Sequence, residues 1–123
     1  MAEHGDGYTI MHRDELERPW PQWRLARKSL GLRAFGMNVA EIEPGEAIPE
    51  HDELPRDQEE VFVVLEGDAT IVIDGADHPA PAGTFARLDP NPLRTVRNDS
   101  DAPVTVLIVS APRSSGYEPL EWG

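Results

Sequence analysis

Cysteine is absent from the 123 residues, which removes disulfides, thiolate metal sites and cysteine nucleophiles together. Any metal has to be held by histidine, carboxylate or water. Lysine is nearly absent as well: Lys28 is the only one, and every other cation is an arginine, whose fixed donor fork suits pairing with carboxylates. Eleven Lys plus Arg stand against twenty-three Asp plus Glu, and the resulting net charge of −12 repels polyanions, so no nucleic-acid partner is expected. The nearest approach to a basic stripe, Arg24, Arg27 and Lys28, fits the solvated side of a short helical turn. No run nears the roughly 20 apolar residues of a membrane span, so no membrane partner is expected either. The first twenty residues are too acidic and polar for a secretory signal and lack the basic, serine-rich character of a transit peptide, which points to a cytoplasmic address.

What the chain does contain is a series of short β-rich runs separated by Gly, Pro and Asp, the pattern of an all-β sandwich or barrel. Strands are expected over residues 7–11, 32–43, 47–53, 59–65, 69–74, 84–88, 94–97 and 104–109. One helical turn is expected over 24–30, stopped by Gly31. Asp74-Gly75 is a strong two-residue hairpin signal, and Glu66-Gly67-Asp68 reads as another tight turn. The near-continuous apolar run 59–65 suggests a strand covered on both faces. Trp20 and Trp23, and Tyr117 and Trp122 in the tail, are expected to pack on the barrel. The size suits one domain, 1–123, with a strand and connector over 1–31 and a packed tail over 112–123.

Two segments carry a family resemblance: residues 44–67, PGEAIPEHDELPRDQEEVFVVLEG, and residues 81–98, PAGTFARLDPNPLRTVRN. Gly45 is followed after five residues by His51, and Glu60 after six by Gly67. These spacings, with the phrase EEVFVVLEG, resemble the paired motifs of the cupin superfamily, and the similarity extends over roughly residues 32–111. The resemblance implies a single cupin-type, jelly-roll barrel. Residues two apart on a strand share a face, so the resemblance places His51, position 53 and Glu60 around one interior point, where the family holds a metal.

The chain departs from that plan. Position 53 is Glu53 instead of histidine, the spacer from there to Glu60 is longer than usual, and Arg94 (or Thr95, with a one-residue slip) stands where the last histidine belongs. A guanidinium stays charged in a protein, and inside a barrel it would oppose a nearby divalent cation by roughly several kcal/mol even after screening. Arg94 is open to three readings: an ion pair with Glu60 or Glu53, a contact to a substrate carboxylate, or an outward, solvated side chain. His51 is equally open to metal ligation or a hydrogen bond to a barrel carboxylate. Glu59 should point away from Glu60, into solvent.

The resulting expectation is a barrel that binds a small polar, anionic or hydroxylated molecule through His51, Glu53, Glu60 and Arg94, with its metal site weakened or lost and no cofactor. One alternative is a metal-dependent enzyme, a dioxygenase, isomerase or lyase, with His51, Glu53 and Glu60 holding Fe, Mn, Zn or Ni. Another is a structural or interaction module filled by side chains such as Phe62, Val64 and Leu107. His4, His12 and His78 read as surface residues, and Ser110, Ser114 and Ser115 have no base arranged for a nucleophile. The resemblance also implies a homodimer, in which the segment 7–16 could be exchanged between subunits.

Overall fold

The computed structural model describes residues 2–123, so the first residue of the expected 1–123 span lies outside the described residues. The chain opens with a hairpin, β1 (Glu3–Gly5) and β2 (Tyr8–Ile10), paired from Glu3↔Ile10 to Gly5↔Tyr8. Within the chain, the N-terminal segment therefore pairs with itself. A short strand β3 (Trp23–Arg24) leads into α1 (Ala26–Leu30). Gly31 ends that turn at φ 72°, its N–H donating to Lys28 O while Leu32 N donates to Arg27 O, as the glycine stop predicts.

The remaining strands are β4 (Gly36–Ile42), β5 (Gln58–Glu66), β6 (Asp68–Ile73), β7 (Ala76–Pro81), β8 (Phe85–Leu88), β9 (Arg94–Arg97) and β10 (Val104–Pro112). They form a five-stranded sheet, β3-β4-β10-β5-β8, and a three-stranded sheet, β7-β6-β9. The two are separate ladders whose inner faces share one core, so the all-β jelly-roll expectation holds as two facing sheets. Asp74 (φ 49°) and Gly75 (φ 81°) make the β6–β7 turn, both central residues carrying the positive φ that a primed hairpin turn needs. Gly67 turns β5 into β6 at φ 83°, and a Cβ there would come within 2.5 Å of Pro103 O.

Register explains the core. On β5 the inward residues are Glu60, Phe62 and Val64, all at most 5% exposed. They sit in rows with β10 and β4: Val64 by Val106 and Ala40, Phe62 by Ile108 and Asn38, Glu60 by Ser110 and Gly36. Each buried apolar side chain in such a row contributes roughly 1.5–3 kcal/mol. The rows are apolar at one end and polar at the other, and the polar end holds the site. The outer face of β5 is only half covered, because Val61 and Val63 are half-buried and Leu65 is 46% exposed. That corrects the expectation of a strand covered on both sides.

Two further corrections concern aromatic residues. Trp23 packs against the core, but Trp20 is 62% exposed. Tyr117 and Trp122 are 75% and 87% exposed, because the chain leaves the ladder at Pro112 and forms no further strand. Only the start of the tail is tied down, with Arg113 N donating to Asp57 O and Arg113 Nη2 lying 2.6 Å from Asp57 Oδ1.

Candidate functional site

His51, Glu53 and Glu60 meet at the polar end of the rows. The segment that carries His51 is held against β9 by sparse bridges, Ala47↔Arg97 and His51↔Arg94, in place of the full strand expected over 47–53. Prolines at 49 and 55 limit the donors available for a longer ladder. At the His51–Arg94 bridge the backbone bonds run both ways, His51 N→Arg94 O at 3.0 Å and Arg94 N→His51 O at 2.8 Å. Directly opposed residues project to the same face of a sheet, so this bridge sends both side chains inward. Glu53 N is anchored to Pro90 O at 2.9 Å.

His51 Nδ1 lies 2.9 Å from Pro49 O. A carbonyl can only accept, so Nδ1 carries the proton and Nε2 is turned toward the acids. Nε2 is 3.4 Å from Glu53 Oε1 and 3.5 Å from Glu60 Oε1. Glu60 raises the His51 pKa above its ordinary 6.5; burial opposes that shift, while the Pro49 carbonyl and Glu53 reinforce it. Burial raises the Glu53 pKa above 4.5, the charge on Glu60 adds to it, and His51 and Arg94 pull it back.

Arg94 is fully buried, and its Nε is 3.2 Å from Glu60 Oε1. Its other donors serve the turn before β9: Nη1 reaches Pro92 O at 2.5 Å and Pro90 O at 3.2 Å, and Nη2 reaches Asp89 O at 2.8 Å. The guanidinium thus braces a loop and faces Glu60, which is the ion-pair reading. It does not line the cavity, which places it away from the expected contact with a ligand carboxylate. Thr95, the slipped alternative, donates to Ile48 O at 2.6 Å inside the protein. Glu59 is exposed and faces Arg87 at 3.4 Å, as the strand alternation predicts.

A cavity of about 690 Å³ opens over the three residues, with His51, Glu53 and Glu60 at its floor and Asn38, Gln58 and Ser110 adding polar groups. The volume falls within the ~300–1,000 Å³ of small-molecule sites. Phe62 and Val64 fill the interior below it, Leu107 is half-buried, and the open space beside His51 counts against a wholly filled barrel. Sequence reasoning missed Arg27, Arg33 and Arg56 on the cavity wall, because nothing in their spacing marks them as neighbours.

One ligand atom from each of His51, Glu53 and Glu60 lies within 4.8 Å of the others. Ligand bonds of about 2.1 Å place neighbouring donors about 3–3.5 Å apart, and His51 Nε2 already stands 3.4 Å and 3.5 Å from the two carboxylates. The imidazole tautomer and the oxygen donors also suit a divalent ion. Among the described residues, Glu60 Oε1 is buried without a hydrogen-bonding partner, as is Arg94 Nε. The donor set therefore fits a hard or borderline cation, with Arg94 competing for one of its oxygens.

No curated protein matches the chain by sequence. Among solved structures, a cupin protein from Bacteroides fragilis is 22% identical with a TM-score of 0.76, covering 94% of this chain and 92% of its own. A sugar phosphate isomerase of the cupin superfamily from Silicibacter pomeroyi is 24% identical with a TM-score of 0.70, over 83% of this chain and 74% of its own. A protein from Thermotoga maritima described as a predicted oxalate decarboxylase is 16% identical with a TM-score of 0.69, over 84% and 98%. At these identities the likeness is one of fold. The model of the cupin domain matches residues 38–110, which span β4 to β10 and every residue of the His51 cluster, and on that match the chain belongs to the cupin family.

Proposed function

We propose that this cupin binds a small polar molecule in the cavity above His51, Glu53 and Glu60, with its affinity for metal lowered by Arg94. The observation that supports this most strongly is the position of Arg94 Nε, 3.2 Å from the Glu60 oxygen that also faces His51. With His51 protonated, two positive groups balance two carboxylates, so the cluster is neutral without an ion. Glu53, half-buried on the cavity wall, then offers its carboxylate as an acceptor for a ligand hydroxyl. His51→Ala and Glu60→Gln are expected to weaken ligand binding without removing any bound metal, because little is there to remove. Loss of a stoichiometric ion in His51→Ala would overturn this reading.

A second reading, a metal-dependent isomerase or lyase, is favoured by the tautomer that Pro49 O imposes on His51. It leaves the Nε2 lone pair facing two carboxylates, and His51, Glu53 and Glu60 would hold the ion. A bound divalent ion would supply Lewis acidity to a ligand oxygen. Here the names of the isomerase and the decarboxylase neighbours lend support of fold analogy only.

We also infer a homodimer, from the family resemblance and from apolar side chains left in water, among them Phe85 at 73% and Tyr8 at 56% exposed. Light scattering should give twice the 13.6 kDa chain mass. A monomer mass at micromolar concentration would refute it.

A further inference from the structure

We propose that Arg27, Arg33 and Arg56 form an oxyanion-binding rim on the cavity, and that its ligand carries a phosphate or carboxylate at one end and hydroxyl or carbonyl oxygens at the other. This rests on the reading that the cavity is the ligand site.

Charge accounting carries the inference. Acids outnumber cations twenty-three to eleven, so an arginine placed anywhere on this surface readily finds a carboxylate. Eight of the eleven cations have a carboxylate within 4.0 Å. Among the described residues, the three cations without one are Arg27, Arg33 and Arg56, and all three line the same cavity. They come from α1, from the loop that follows it, and from the 3-10 turn Leu54–Arg56, so their meeting is a product of the fold and not of local sequence. The one side-chain hydrogen bond among them is Arg27 Nη1 to Leu32 O at 3.3 Å. Among the described residues, most of their donors have no partner.

The cavity is polarised as a result. Asp52, Glu53 and Glu60 on its inner wall repel an anion, and its exposed rim holds three guanidiniums with no carboxylate partner, whose forks match phosphate and carboxylate oxygens. In a chain of net charge −12, such a rim is a local reversal of sign at the mouth of a concave site, where fields are focused. An anionic group therefore docks at the rim, and the uncharged oxygens of the same molecule point to His51, Asn38, Gln58 and Ser110.

Isothermal titration calorimetry at low salt tests this, with glycerol 3-phosphate, glycerate and glycerol as probes against the wild type, the Arg33→Gln/Arg56→Gln double variant and His51→Ala. At least one of the two anions should bind tenfold or more tightly than glycerol, and which one binds tells phosphate from carboxylate. The double variant should lose about tenfold or more of that affinity with an unchanged melting temperature, since these arginines hold no ion pair. No heat from either anion, or a double variant that binds like the wild type, overturns the rim. If binding still falls in His51→Ala, the cavity reading survives that failure; if it responds to none of the substitutions, both fall.

Discussion

Arg94 Nε and Glu60 Oε1 face each other at 3.2 Å inside the protein, and neither atom has a hydrogen-bonding partner among the described residues. A buried charge pair of this kind adds little net stability, yet removing one member strands the other. Arg94→Met should therefore destabilise the fold by about 3–5 kcal/mol, more than an ordinary large-to-small change on the surface. It also frees the carbonyls of Asp89, Pro90 and Pro92. The double variant Arg94→Met/Glu60→Leu should recover part of the loss. Urea unfolding measures both, and additive losses would show that the two groups are not coupled.

Asn98 is the comparable polar staple at the apolar end. It is fully buried, donates to Ile42 O and Ala102 O at 2.8 Å, and accepts from Ser100 N and Oγ. Every one of its hydrogen-bonding positions is in use or close to it. Asn98→Ala strands two carbonyls and should cost about 2–4 kcal/mol by the same urea measurement. A loss below about 1 kcal/mol would mean that water replaces the amide at no penalty.

Stability should fall as pH rises through the titration of the site. The folded-state pKa of Glu53 is raised above 4.5, chiefly by burial, so its contribution is complete at lower pH and lost as pH climbs through the raised value. His51 is raised above 6.5, chiefly by Glu60, so its contribution is complete below 6.5 and is lost above it, through the folded-state value. Both shifts have the same sign. Melting temperatures followed upward from pH 5 should decline, and His51→Gln should remove the part that begins near 6.5. A His51 ring that titrates below 6.5 by NMR would contradict the assignment.

Much of the fold was legible because it rests on local chemistry. The positive-φ turn at Asp74-Gly75, the stop at Gly31 and the alternation that separates Glu59 from Glu60 all follow from residue type and spacing. The strand over 94–97 coincides with β9. What escaped depends on partners. β7 contains Pro79 and Pro81, which disqualify a central strand, but it pairs only with β6 and is an edge. β2 lies within the strand expected over 7–11, but its partner β1 is fully exposed and has no buried face to leave a pattern. At the site, motif spacing located His51, Glu53 and Glu60. It could not tell that Arg94 turns its Nη donors to a proline-rich loop, or that three distant arginines border one cavity.

A neutral cluster should also bind ions weakly for a reason that mutation can expose. Replacing Glu53 by histidine supplies a second imidazole beside His51 and removes a carboxylate, a donor set closer to that of iron or manganese sites. Glu53→His should raise Mn²⁺ affinity less than tenfold while Arg94 remains, because the guanidinium still opposes the ion. Calorimetry with Mn²⁺ alone measures it, and a gain of several hundredfold would show that Arg94 is no obstacle.

Elemental analysis of the freshly purified protein, prepared without added metal, tests the charge-balanced site most directly. Neutralisation by Arg94 and protonated His51 predicts far less than one equivalent of any transition ion per chain. Stoichiometric Fe, Mn, Ni or Zn that survives mild chelation would contradict it and make the metal-dependent reading the correct one.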